Sequence, residues 1–384
     1  MGEERLLGES LTDARNPAPA AGAPRPPHLR ALTAVRFFAA LHVTLYHIVR
    51  PFSLWGPLTG FFSAGYTGVS FFFVLSGFIL TYSHAGERAT GTTFAKRFYF
   101  ARFARIYPVY LVTMLVAAVV SWSQFAQRIH ILAFVADLAM VQTWSLRMVS
   151  FFNVPAWSVA SEAFFYLVFP FVYLKLTPSS RMRGVLAAGL FWMLAMVMPV
   201  VCLVWFPAGA WHEGLGIFAF WVRRFPVFAL PEFLCGISVA WLLLRFRPSR
   251  RTASWMGVAA VVGLMVALLV SERLPALALH NGLLIPLYAM LLLGLSENTV
   301  LASMLSSAPL VLLGEASYAL YLVHFELNTW WEHAFHASGS IAAAVWKLAI
   351  LLPLAIALHL WVERPCRKSL LVWWNRRHPV IAGT

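Results

Sequence analysis

The sequence predicts an all-α, polytopic membrane protein of about ten transmembrane helices with both termini cytoplasmic. Three observations carry this. The 384 residues are 60% hydrophobic and only 11% charged, with mean hydropathy +0.74, against about 25% charged in an ordinary soluble domain. The apolar residues gather in runs of about 20, the length that crosses a bilayer as a helix. The basic residues behind the net charge of +14 lie between those runs, as topology signals do. That placement excludes a nucleic-acid-binding surface.

Residues 1–29 hold Pro17, Pro19, Pro24, Pro26 and Pro27 among Ala, Gly and Arg. They read as a disordered cytoplasmic tail. No short apolar core with a cleavage site precedes residue 30, so a signal peptide is not expected. Spans are expected at 31–50, 65–83, 106–122, 157–176, 185–206, 225–245, 255–270, 281–296, 311–331 and 341–362. The stretch 123–156 is the uncertain one. Its apolar middle, Ile131 to Trp144, is short and holds Asp137 and Gln142. With ten spans most Lys and Arg face the cytoplasm, leaving Arg50, Arg128, Arg147, Arg223, Arg224 and Arg273 outside. An eleventh span would move Arg181, Arg183 and the Arg245–Arg251 cluster outside. The positive-inside rule therefore makes 123–156 an outer loop whose 131–144 part is interfacial or re-entrant. Trp122, Trp144, Trp157, Trp205, Trp211, Trp330 and Trp331 then form an outer aromatic belt. Residues 367–384 read as a basic cytoplasmic tail. Cys202, Cys235 and Cys366 are scattered, with no metal-ligand spacing and no disulfide framework, so no metal site is expected.

The first span is unusual because it holds Arg36, His42 and His47. Arg inside a bilayer costs roughly 2.5 kcal/mol or more. Arg36 and His47 are eleven residues apart, which sets them within about 20° on one helix face and about 16 Å apart along the axis. That stripe faces protein, not lipid. His42 lies roughly 140° further round and is expected to face another helix as a structural residue. Arg102 and Arg105 share a face at i,i+3 at the start of the third span. Two guanidinium forks there suit a phosphate-rich ligand, and the alternative is Arg snorkelling to lipid headgroups. Glu162, early in the fourth span, and His324, in the ninth, are intramembrane ionisable groups and hence candidate site residues. A structural ion pair or a hydrogen-bonded core role is the competing reading for each. Gly77 reads as a point where two helices approach closely. Lys347, Glu232, Glu315, Glu326 and His359 read as structural.

Taken together, these segments resemble the acyltransferase-three family of bacterial membrane O-acyltransferases. Arg36 and His47 match its Arg-(ten residues)-His pattern, and Phe72-Phe-Val-Leu-Ser-Gly-Phe78 resembles its second-span signature. Arg102-Phe-Ala-Arg105 matches Arg-x-x-Arg, and Trp157-Ser-Val-Ala-Ser-Glu162 resembles its Trp-Ser-Leu-Ser-Val-Glu segment. Ser317-Tyr-Ala-Leu-Tyr-Leu-Val-His324 and Glu363-Arg-Pro365 resemble the last two. Two departures stand out. The family often has Glu-Glu-Gln where this chain has Glu162-Ala163-Phe164, which removes a second acid. It usually opens with Leu-Asp-Gly-Leu, and here 32–35 are Leu-Thr-Ala-Val, so an acid for Arg36 must come from elsewhere. Some relatives carry an extra hydrolase-like domain outside the membrane, and none is expected here.

The resemblance implies a transmembrane acyltransferase domain over residues 30–366, in the bacterial cytoplasmic membrane. It would move an acyl group, acetyl above all, from cytoplasmic acyl-CoA to a hydroxyl of a surface or exported glycan or a glycosylated small molecule. Arg102 and Arg105 would hold CoA phosphates, and Arg36 would act further along the donor. His47 would be the general base or the transient acyl carrier, with Glu162 or His324 orienting it or lying at the acceptor end. The competing class is a transporter or flippase of a small anion or lipid-linked sugar, which would show two pseudo-symmetric halves. No internal repeat is visible in the sequence.

Overall fold

The computed structural model describes residues 29–50, 52–85, 92–122, 125, 127–145, 147–149, 151–205, 222–335 and 340–378. Residues 1–28 of the expected 1–29 tail, Trp211 and the last six residues lie outside the described residues. In chain order the principal helices are α1 (Arg30–Ile48), α2 (Gly68–His84), α3 (Thr92–Val120), α4 (Arg128–Leu138), α5 (Ala156–Val172) and α6 (Arg181–Trp205). There follow α7 (Pro226–Arg245), α8 (Arg250–Leu269), α9 (Ile285–Leu295), α10 (Ala308–Phe335) and α11 (Ile341–Leu358). A π-helical turn, His359–Glu363, joins α11 to α12 (Arg364–Arg377).

Among the described residues nine helical stretches are long and apolar enough to cross a membrane, and α5 is a shorter apolar helix. α4 has 11 residues, about 16 Å, and is too short to cross. Helices α6 and α8 turn apolar side chains outward, Leu186, Met193, Val197, Val258, Val262 and Val266 among them. That is the pattern of lipid-facing helices, and it leaves the buried faces to the interior. Starts are marked locally. Ser249 and Ser340 cap α8 and α11 by accepting from the amides of Thr252 and Ala343, and Pro226 opens α7.

The interior is built on two close helix pairs, α1 along α10 and α2 along α7. Small residues make both possible. A Cβ on Gly77 would stand 2.0 Å from the Phe233 carbonyl oxygen, and one on Gly236 would stand 2.0 Å from that of Val74. Gly314 of α10 is pressed equally hard against Thr33 of α1. The His42 Nε2–H donates to the Phe61 carbonyl at 2.7 Å, a contact outside the helix of the kind a structural residue makes.

Three expectations need correction. First, α3 begins at Thr92, not near residue 106, so Arg102 lies about three turns inside a helix. The charges limit the apolar run, but Lys and Arg are good helix formers and nothing before Pro108 breaks the backbone ladder. Second, the last helix does not end near 362. The π turn widens just before Pro365, which supplies no N–H, and the helix then runs on to Arg377. Third, Trp157 is not in an interfacial belt. It is buried and stacks on His280, with centroids 5.7 Å apart. Trp122, Trp205 and Trp330 are exposed as a belt requires.

Candidate active site

Helices α1, α2, α3, α5 and α10 enclose a cavity of about 110 Å³. A single water needs about 10–15 Å³ of such space, so the cavity has room for several waters or for the end of a thin ligand. Arg36, Arg102 and Arg105 line it, facing Glu162, Ser76, Tyr166 and Tyr318. Glu162 is held in place: its Oε1 accepts from Ser76 Oγ at 2.7 Å and from the Tyr166 hydroxyl at 2.5 Å. The Arg102 guanidinium sits over the Phe98 and Tyr166 rings at 5.9 and 6.0 Å. Arg36 feels the charges of Arg105, Glu363 and Glu162, but among the described residues no carboxylate lies within 4.0 Å of it.

Arg105 owes its position to the π turn. Its Nη1 lies 3.8 Å from Glu363 Oε1. Glu363 Oε2 accepts from His359 Nδ1–H at 2.9 Å, and Glu315 pairs with Arg364 at 3.1 Å and with His359 at 3.5 Å. His359 and Glu363, the two ends of the π turn, share one face, from which Glu363 reaches α3 and His359 reaches Glu315 of α10. This network gives the Glu363-Arg-Pro365 segment its structural meaning.

The other end of the site is a histidine pair. His47 Nδ1 is 3.0 Å from the Val43 carbonyl oxygen and 3.2 Å from His324 Nε2. His324 Nδ1 is 3.3 Å from the Leu320 carbonyl oxygen. A carbonyl can only accept, so both Nδ1 atoms carry hydrogen. His324 Nε2 then accepts from His47 Nδ1–H, and His47 keeps a lone pair on Nε2. His324 is fully buried and meets His47 without reaching the exterior. His47 is half-buried, between the rings of Tyr46 and Phe325.

The sequence-predicted residues therefore fall into two groups. Arg36, Arg102, Arg105 and Glu162 surround the cavity, and His47 meets His324 beyond it. Glu162 bonds to neither histidine. Between the groups stands Tyr321, one turn before His324. Its hydroxyl is 2.7 Å from Ser158 Oγ and donates to the Pro155 carbonyl at 3.2 Å, and its ring packs on Phe72 and His324. Tyr321 lines the far end of the cavity, and neither histidine does. Near His47, Arg224 lies over the buried Trp157 ring at 5.8 Å. The sequence reading singled out neither Tyr321 nor Arg224. The only available signal was Tyr321 lying i,i+4 from Ser317 within the segment ending at His324.

The family model for an acyltransferase domain matches residues 29–364, which holds every residue just named. The chain belongs to the acyltransferase-three family. This acyltransferase is 33% identical over 395 residues to acyltransferase MdmB of Streptomyces mycarofaciens, covering 94% of the chain and 96% of that protein. It is 24% identical over 365 residues to the O-acetyltransferase OatA of Staphylococcus aureus, covering 90% of the chain and 58% of OatA. It is 23% identical over 378 residues to a putative O-acetyltransferase of the same organism, SAR0937, covering 92% of the chain and 60% of that protein. The chain thus spans about three fifths of the two staphylococcal proteins. No solved structure matches it. With its apolar helices, the membership makes the protein an integral membrane O-acyltransferase.

Proposed function

We propose that the protein transfers an acyl group, acetyl above all, from acyl-CoA to a hydroxyl of a surface or exported glycan or a glycosylated small molecule. The observation that carries this is the His47 geometry: Nδ1 lies 3.0 Å from the Val43 carbonyl oxygen and 3.2 Å from His324 Nε2, a placement that favours the hydrogen on Nδ1 and leaves Nε2 as a base. Nε2 takes the proton of the acceptor hydroxyl as its oxygen attacks the thioester carbon. The carbonyl re-forms, the carbon–sulfur bond breaks, and the CoA thiolate leaves and is protonated. The acyl carrier role for the same nitrogen is the second reading, favoured by Tyr321 standing between the cavity and the histidines. Arg102 and Arg105 attract the CoA phosphates, and Arg36 lies deeper, toward the thioester. The positive-inside rule puts the Arg102–Arg105 end in the cytoplasm of a bacterial cell and His47 toward the outer face.

The test uses purified protein in lipid vesicles with acetyl-CoA, reading CoA release and, by mass spectrometry, acylated glycan or small molecule. His47→Ala is expected to abolish transfer and leave CoA binding intact. Transfer at the wild-type rate in His47→Ala would refute the assignment. No CoA release from the wild type in the presence of cell-surface glycan would refute the donor.

A further inference from the structure

The basic end of the site holds one more guanidinium. Arg367 lies on α12, one turn past the π turn, and is half-buried. The charges acting on it are those of Arg105, Arg102, Glu363 and Glu315. Its placement is locked. Trp374, seven residues on and therefore on the same helix face, stacks on Phe100 of α3 with centroids 4.3 Å apart at 18°. That contact seats α12 against α3 and holds Arg367 at the mouth beside Arg102 and Arg105.

The charges at this mouth do not balance. Glu363 is taken by Arg105 and His359, and Glu315 by Arg364 and His359. Among the described residues Arg102 and Arg367 have no carboxylate within 4.0 Å. Arg102 Nε is buried without a hydrogen-bond partner. Glu162 is the remaining acid and is bonded to Ser76 and Tyr166, so the five guanidinium groups of Arg36, Arg102, Arg105, Arg364 and Arg367 outnumber the three carboxylates of Glu162, Glu315 and Glu363, an excess that a polyanion satisfies. These guanidinium groups are where the anionic part of a ligand is held. Arg102 and Arg105 line the cavity and Arg367 does not, so Arg367 lies farther out along the ligand.

We propose that Arg367 is a donor-binding residue that takes the ribose 3′-phosphate of CoA, outside the diphosphate held by Arg102 and Arg105. The proposal rests on acyl-CoA being the donor. It also gives α12, which the sequence reads in large part as a tail, a place in the binding site.

The experiment is isothermal calorimetry on the full chain in detergent or nanodiscs, with CoA and with dephospho-CoA, which lacks only the 3′-phosphate. Wild type is expected to prefer CoA by tenfold or more. Arg367→Gln is expected to bind CoA about tenfold more weakly and dephospho-CoA as well as wild type does. Lys368→Gln removes an exposed charge from the same helix and should change neither. An Arg367→Gln variant that keeps the wild-type preference overturns the proposal, as does one that loses both ligands equally. Wild type that binds neither ligand overturns the donor reading and this proposal with it. A loss confined to Arg367→Gln and to CoA supports both.

Discussion

Replacing His324 by Phe separates orientation from proton transfer. Phe keeps a ring of similar size in a fully buried site, so the packing survives. It removes the acceptor that lies 3.2 Å from His47 Nδ1. The Val43 carbonyl, 3.0 Å away, still holds the Nδ1–H, so the tautomer is kept and only the ring's aim is loosened. A neutral hydrogen bond is worth about 1 kcal/mol net. At 1.36 kcal/mol per decade of rate, kcat should fall about fivefold, with KM for acyl-CoA unchanged because His324 is not among the residues lining the cavity. His324→Gln returns an acceptor and should recover part of the loss. The assay is steady-state CoA release in vesicles beside His47→Ala, expected to be inactive. Loss of activity in His324→Phe as complete as in His47→Ala would refute the reasoning and make His324 a proton carrier.

Two further predictions concern stability. Gly77→Ala forces a Cβ against the Phe233 carbonyl oxygen at 2.0 Å, and overpacking of this kind costs about 1–3 kcal/mol. Its melting temperature in detergent should drop, whereas Gly189→Ala, with nothing within 4 Å of the new methyl, should hold or rise, since Ala is favoured over Gly in a helix by about 1 kcal/mol. Asp137 on α4, outside the spans, is buried with Oδ2 unbonded, and burial pushes its carboxyl up to about 8 from the ordinary 3.8. The folded state thus holds a proton that the unfolded chain releases, so this contribution is full below about pH 3.8 and is lost as pH rises toward about 8. Asp137→Asn should flatten that decline in thermal melts across pH 5–9, and an unchanged slope would assign it to another group.

Span positions were legible because hydropathy runs and charge placement are local properties. So was the stripe of Arg36 and His47, since eleven residues of helix put both on one face. The partners were not legible. Glu162 meets Ser76 across 86 residues of chain and His47 meets His324 across 277, and one sequence carries no sign of which intramembrane groups converge. Helix ends were misjudged at Arg102 and at Glu363 for one reason. Hydropathy reports where lipid can be tolerated, whereas a helix continues as long as its backbone hydrogen bonds can form. The resemblance to the family pointed to the Glu363-Arg-Pro365 segment, but its ion pairs with α3 and α10 join residues far apart in the chain.

Tyr321 has a consequence for the membrane itself. A bundle with arginines at one end and a half-open histidine at the other would, as a continuous wet channel, leak protons and small ions across the bilayer. It would also let water reach an activated thioester before any alcohol arrived. The phenol ring, pinned by Ser158 and Pro155 and backed by Phe72, stops the cavity short of His47. On the acyl-carrier reading, the acyl group would have to pass this ring from the arginine end to His47, and the ring would keep the two ends sealed from each other between passages.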